Sequence, residues 1–363
     1  MTQSRPFIAS IGISHPSTLR QDDIWRDFFD DHYAGVQRAL ARRVFANAGV
    51  VTRHCVVNPL LEDVSNWSTK TRMDRYLVEA LPLGKEAVSE ALHAAAVDPA
   101  ELGLFAVCSC TGYVTPGVDI LLARDLGMSP RTQRLCIGHM GCYAAMPGLG
   151  AVTDFVAVSG RPALLLCLEL TSLHLQPPTR DPQQIIAHAL FSDAAAAAVI
   201  RPGGGPPSTA APGAPGGWLG GYAVTEVTAV TDTATADHMT WDVTDLGFRM
   251  GLSPRVPDVL AEHVLSLITE LLDRHGMAVS DVDGWAIHPG GPKILEVVRD
   301  RLGIAEAHIT PSREVLAEHG NCSSPTVLLI VDALRRRPVP PRHVVMMAFG
   351  PGLTLYAALL SAV

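Results

Sequence analysis

The sequence predicts an α/β fold built from two similar halves, and three observations carry that reading. Short, predominantly apolar runs such as Leu104–Ser109, Ala163–Leu170 and Ala194–Ile200 read as buried strands. Segments with apolar residues at helical spacing lie between them, as in Leu81–Ala96 and Val118–Leu126. The same order of elements then returns in the second half of the chain.

Taken in order, Arg20–Phe45 is charged and amphipathic and predicts one or two helices on the outside of the fold. The Leu81–Ala96 helix should stop at Asp98-Pro99, because the residue before a proline is pushed out of helical geometry. The strands above follow, with the helix Val118–Leu126 between the first two. Pro202–Trp218 is so rich in Gly and Pro that neither helix nor strand can propagate, so the expected division is 1–201, a connecting loop 202–218, and 219–363. Beyond it, Val256–His275 is a helix, Gly284–Ile287 a strand ending at His288, Pro292–Leu302 a helix, and Asn321–Leu334 begins another after His319-Gly320. Cys110 and Cys142 are 32 residues apart and His288 and Asn321 are 33 apart, so the order helix, strand, helix, turn, buried helix is duplicated.

Composition narrows the function. At 363 residues, with 48% hydrophobic and 18% charged residues, the chain can bury a large core. A net charge of −8 with no Lys/Arg stripe argues against nucleic acid as a partner. No run long enough to span a membrane and no secretory leader is expected, which points to the cytoplasm. The seven cysteines, an odd number mostly in apolar segments, read as reduced thiols. Cys108-Ser-Cys110 is not a zinc spacing and no matching Cys or His pair accompanies it, so no metal site is expected.

Cys142 is the candidate nucleophile. Gly141 permits a sharp turn before it, an apolar helix follows, and Pro147 falls near the first helical turn, where a missing N–H is tolerated. Unpaired N–H groups at a helix start favour thiolate over thiol. A buried structural cysteine is the alternative reading of this stretch taken alone. The duplication sharpens the choice, since equivalent turns of two packed halves meet at their interface. Cys142, His288 and Asn321 all occupy such turns.

The motifs Met140-Gly-Cys142, Leu190-Phe-Ser-Asp193, Trp285-Ala-Ile-His-Pro-Gly-Gly-Pro-Lys-Ile-Leu295, Glu318-His-Gly-Asn-Cys-Ser-Ser324 and Ala348-Phe-Gly-Pro-Gly-Leu-Thr354 resemble those of the type III polyketide synthases, the chalcone synthase-like enzymes. The resemblance covers nearly the whole chain and implies a duplicated thiolase-like αβαβα sandwich. It implies that Cys142 carries the acyl group, that His288 and Asn321 complete the catalytic set, and that acyl-CoA and malonyl-type CoA thioesters are the substrates, with no cofactor. Phe191 matches a phenylalanine between the CoA tunnel and the cavity. Met250 stands where the family often has a second phenylalanine. Gly350, Pro351 and Gly352 match the glycine-rich loop that shapes the cavity, and Cys110, Thr111, Thr115, Glu169, Thr171, His174 and Ser323 align with other cavity positions. Arg42 and Arg43 are candidates for the CoA phosphates. The resemblance also implies a homodimer in which the segment Tyr113–Pro116 reaches toward the partner's cavity.

The small side chains Cys110, Thr111 and Thr115 predict room for an aliphatic chain, hence a fatty acyl-CoA starter and an alkyl pyrone or alkyl resorcinol product. A malonyl-only synthase of a naphthalene or phloroglucinol type product is the alternative, as is a β-ketoacyl-acyl-carrier-protein synthase of the initiating type. From a different class, a noncatalytic acyl-binding protein could share the fold without the chemistry.

Overall fold

Residues 5–35, 37–203 and 220–363 are described by the computed structural model. Among them, nine strands form one sheet, running edge to edge as Gly284–Ile287, His343–Gly350, Thr354–Ala362, Tyr222–Thr231, Phe7–Ser14, Ala194–Arg201, Ala163–Glu169, Leu104–Cys108 and Gln133–Ile137. The first pair is parallel, as are the last two pairs, and the five between are antiparallel.

The apolar runs are continuous because each strand is covered on both faces. Leu104, Ala106 and Cys108 join an inner core, whereas Phe105 and Val107 join an outer one. Leu165 and Cys167 likewise point inward and Leu164, Leu166 and Leu168 outward. In the second half Val344, Met346 and Ala348 face the inner core while Val345, Met347 and Phe349 face a third cluster. The inner core also holds the helices Ala145–Ser159 and Pro325–Arg335, lodged between the two arms of the sheet. The outer clusters are closed by Thr69–Ala95 on one side and Val256–Asp273 with Pro292–Leu302 on the other. Helix, sheet, helix, sheet, helix is therefore the layer order, the duplicated thiolase-like sandwich.

Several expectations need correction. The helix expected at Leu81–Ala96 begins at Thr69, with Ser68 capping the Thr71 N–H at 3.2 Å, and carries Pro82 in its interior. Asn321 does not start a helix: that helix begins at Pro325, and Asn321 is held by a bridge to Phe191. The stretch Gly141–Ser159 is long and apolar enough to cross a membrane, contrary to the sequence reading, but it includes the central helix, with Met146, Leu149, Val152 and Val156 buried in the inner core. The expected loop 202–218 lies, from residue 204 on, outside the described residues. Strands not anticipated include Phe7–Ser14, Gln133–Ile137, Tyr222–Thr231, His343–Gly350, Thr354–Ala362 and the hairpin of Met239–Thr244 with Gly247–Leu252.

Candidate active site

Cys142 sits in a single tight turn, Gly141–Tyr143, immediately before the helix Ala145–Ser159. Gly141 has φ +71°, and a Cβ there would meet Pro351 Cδ at 3.0 Å, so glycine is required both by the turn and by the neighbouring loop. Pro147 falls in the first turn of the helix. His288 directly follows the strand Gly284–Ile287, its backbone N–H bonded to Met347 O at 2.9 Å and its ring edge-on to Phe349. Asn321 lies in the turn after the helix Glu306–His319, fixed by its N–H to Leu190 O at 2.8 Å and by Ser192 N–H to its carbonyl at 3.0 Å.

These three residues line one cavity of about 440 Å³, together with Phe191, Met250 and Phe349. Its mouth is bordered by Val44 of the helix Arg38–Ala46, by Asn47 and Ala48 just beyond its end, and by Lys293, whose ammonium is largely exposed. Arg42 and Arg43 lie on that helix but are exposed and outside the lining. On the inner side of Cys142 a second space of only about 20 Å³ is lined by Cys110, Thr111, Thr171, Phe191, Met250, Ser323 and Pro351, with Gly141, Met239 and Trp241. A third, mainly apolar pocket of about 60 Å³ shares Thr171, Phe191 and Trp241 with it and adds Ile24, Phe29, Val57, Val64 and Leu175, with the polar residues Arg53, Ser172, His174, Gln184 and His188 also in its wall.

Thr115 does not belong to this constellation. It is exposed on the surface of the chain and lines none of the three spaces, so it creates no room beside Cys142. Gly350 and Gly352 shape the loop without lining the spaces: a Cβ on Gly350 would lie 2.7 Å from the Tyr143 ring. Trp241, missed by the sequence reading, takes up the space expected for a chain. Its indole N–H donates to Cys110 O at 2.8 Å, and its ring packs edge-on against His174 and Phe248. It sits on the polar-looking strand Met239–Thr244, where only the lone aromatic in MTWDVT could have signalled it.

Burial governs the electrostatics. It pushes the Cys142 thiol up to about 12, with a hydrogen bond from Ser323 opposing and the Glu169 charge adding to the rise. It pushes His288 down to about 3, and neither ring nitrogen of His288 has a hydrogen-bond partner among the described residues. Burial therefore favours neutral thiol and neutral imidazole, not the thiolate that a helix start alone would favour. Glu169, fully buried, is raised to about 7 by burial, although Thr111 Oγ1 at 2.8 Å, Cys110 N–H at 3.1 Å and Ser324 Oγ at 3.0 Å all donate to it. His174 is locked between Thr111 O at 2.6 Å and the Phe248 N–H at 2.9 Å. Asp193 is a structural clamp, accepting from Val56 N–H, Ser172 N–H and Thr171 Oγ1, and buried Arg53 donates to Phe191 O at 3.2 Å.

Residues 7–206 match the family described as chalcone and stilbene synthases, N-terminal domain, and residues 226–363 match the corresponding C-terminal domain. The chain is 32% identical over 336 residues to the alpha-pyrone synthesis polyketide synthase-like Pks18 of Mycobacterium tuberculosis, covering 90% of this chain and 83% of that protein. It is 35% identical over 334 residues to the 1,3,6,8-tetrahydroxynaphthalene synthase of Streptomyces peucetius subsp. caesius, covering 90% and 84%. The crystal structure of PKS-I from the brown alga Ectocarpus siliculosus superimposes with a TM-score of 0.90 at 26% identity over the whole of both chains. With both halves matched and the fold shared end to end, the chain belongs to the chalcone and stilbene synthase family and is a type III polyketide synthase.

Proposed function

We propose that Cys142 takes an acyl group from an acyl-CoA starter and that His288 and Asn321 drive decarboxylation of a malonyl-type CoA extender for condensation onto it. The convergence of these three residues from distant segments on one 440 Å³ cavity carries the reading. Proton transfer from the thiol to His288 yields the nucleophile, and the new S–C bond forms as CoA leaves with that proton. Loss of CO₂ from the extender then leaves an enolate oxygen. The Nδ2–H of Asn321 and an imidazole N–H of His288 are donors suited to it, and burial keeps that imidazole neutral and so constant across pH. The carbanion attacks the Cys142 thioester, a C–C bond forms, and the thiolate returns. Every group used is a side chain or part of a CoA thioester, so no cofactor enters.

For the starter we propose a short to medium aliphatic acyl group, with an alkyl pyrone or alkyl resorcinol as product. Its tail would lie along the apolar residues Ile24, Phe29, Val57, Val64 and Leu175 of the 60 Å³ pocket behind Phe191, Thr171 and Trp241. A water needs about 10–15 Å³ of such space, so that pocket holds only a handful of carbons. This replaces the larger cavity expected from Thr115. The similarity to a tetrahydroxynaphthalene synthase supports a malonyl-only reading as the alternative. Comparing kcat/KM for malonyl-, acetyl-, hexanoyl- and lauroyl-CoA as starters separates them: a maximum at hexanoyl-CoA is expected, and a starter-independent product from malonyl-CoA alone overturns it. A covalent acyl adduct on Cys142 by mass spectrometry, absent in Cys142→Ala, tests the nucleophile and excludes a mere binding protein.

A cytoplasmic homodimer is part of the same proposal. Among the described residues the edge strand Gln133–Ile137 has no strand on one side, and Tyr113 is 71% exposed close to the Cys110–Thr111 wall of the inner space. Sedimentation at micromolar concentration tests it, and an active monomer overturns it.

A further inference from the structure

Behind the turn that carries Asn321, three histidines from distant parts of the chain meet. His15 follows the strand Phe7–Ser14, His54 ends the strand Thr52–His54, and His319 ends the helix Glu306–His319. One ring nitrogen from each lies within 4.8 Å of the other two. His54 Nε2 and His319 Nδ1 are 3.0 Å apart, and the His15 ring centroid is 4.2 Å from that of His54 and 4.5 Å from that of His319. The buried His15 Nε2 has no hydrogen-bond partner among the described residues.

We propose that His15, His54 and His319 hold a divalent transition-metal ion, zinc(II) foremost, that staples the three segments behind the active site. Zinc–nitrogen bonds of 2.0–2.1 Å in a tetrahedron set neighbouring ligand nitrogens about 3.3 Å apart, so the 3.0 Å His54–His319 pair needs almost no translation, whereas the His15 ring, stacked on His319 at an interplanar angle of 9°, must turn to aim a nitrogen at the ion. Neutral imidazole is the ligating form, and burial of these rings disfavours the charged one. An outer shell is also present. Thr18 Oγ1, 3.2 Å from His54 Nδ1, accepts that N–H and leaves the Nε2 lone pair facing the cluster. Glu318 Oε2, 3.9 Å from His319 Nε2, is placed to accept the N–H that moves there once Nδ1 coordinates. Water completes the fourth position.

The ion would act by positioning. His319 is two residues from Asn321, and the His54 N–H donates to Ser192 Oγ at 2.8 Å while Asp193 N–H donates to His54 O at 2.9 Å. Ser192 in turn donates its N–H to Asn321 O. Fixing the three rings therefore fixes the backbone on both sides of Phe191 and Asn321. No residue spacing reveals such a site, because its ligands come one each from positions 15, 54 and 319.

The test uses the full-length protein stripped with EDTA and titrated with zinc(II), followed by calorimetry and thermal melts, with cobalt(II) as a spectroscopic probe. One ion per chain, a melting temperature raised by several degrees and tetrahedral cobalt absorption are expected. His15→Phe and His319→Gln should each weaken binding by at least about 100-fold, and Thr18→Val by about 10- to 100-fold, as loss of an outer-shell partner does. Near-UV circular dichroism identifies any variant that fails to fold, and His15→Phe and Thr18→Val then carry the test. Cys136→Ser should bind as the parent does, which separates this site from an exposed thiol. Absence of binding by the folded parent, or equal affinity in the parent and the folded variants, overturns the proposal.

Discussion

Asn321 Oδ1 accepts the backbone N–H of Ser323 at 2.8 Å, which fixes the amide so that Nδ2, the donor end, is left for the cavity. Ser323 adopts φ +57° to make that contact, an arrangement few non-glycine residues accept. The side chain is thus oriented before substrate arrives.

Asn321→Ala should lower malonyl-CoA decarboxylation by roughly 100- to 1000-fold, the usual effect of losing one oxyanion donor. Loading of the starter onto Cys142 should continue, because it uses the thiol and His288. Radiolabelled loading and CO₂ release, measured side by side, check this: a variant that decarboxylates but does not load reverses the assigned roles.

The Cys142–His288 pair makes a prediction about pH. Burial alone raises the thiol to about 12 and lowers the imidazole to about 3, so each charge is unfavourable singly. Moving the proton across that gap costs about 12 kcal/mol, more than the about 4 kcal/mol returned by two opposite charges about 4 Å apart at an effective dielectric of 20, so the resting thiol is not a thiolate and His288 serves as base only during attack. Iodoacetamide should therefore alkylate the parent and His288→Ala with the same rise toward strongly alkaline pH, whereas starter loading from acyl-CoA should be lost in His288→Ala. Alkylation shifted to lower pH in the parent alone would instead reveal a pre-formed thiolate–imidazolium pair.

Glu169 gives a stability test of the same cavity wall. A carboxyl raised from its ordinary 4.5 to about 7 binds its proton more tightly when folded, so its contribution is complete below pH 4.5 and is lost as pH climbs to about 7. At about 1.4 kcal/mol per pH unit the loss is on the order of 3 kcal/mol. Glu169→Gln carries no such titration, so its stability relative to the parent should improve between pH 4.5 and 7.5 and stay level above. Urea midpoints at closely spaced pH values check it, and parallel curves for the two proteins would refute a raised Glu169.

The parts of this molecule legible in the sequence are those where one physical cause dominates. Leu104–Cys108 reads as a strand because both its faces are covered, leaving an unbroken apolar run. Cys142 and Asn321 are legible because each follows a glycine at a turn with positive φ, and His288 because it ends a buried strand. Gln133–Ile137 is the opposite case: at the sheet edge four of its five residues are exposed, so no apolar pattern marks it. Trp241 was invisible for another reason, since its contact with Cys110 spans 131 residues and arises only when the hairpin folds over the cavity. Thr115 lines none of the three spaces of its own chain, because alignment fixes a position in the chain without fixing which surface it faces.

Trp241 is also the residue most open to engineering. It lines both the 20 Å³ space beside Cys142 and the 60 Å³ pocket behind Phe191 and Thr171, so its indole is part of the partition between them. Trp241→Ala should merge the two, lose the hydrogen bond to Cys110 O, and destabilise the protein by less than the about 3–5 kcal/mol typical of a fully buried aromatic, because Trp241 is only half-buried. Each methylene newly accommodated contributes about 0.8 kcal/mol, nearly fourfold in binding, so the preferred starter should shift from hexanoyl toward lauroyl-CoA by one to two orders of magnitude in relative kcat/KM. Product masses should rise with it. An unchanged starter profile in a folded Trp241→Ala protein would show that the indole does not limit chain length and that the wall formed by Phe191 and Thr171 does.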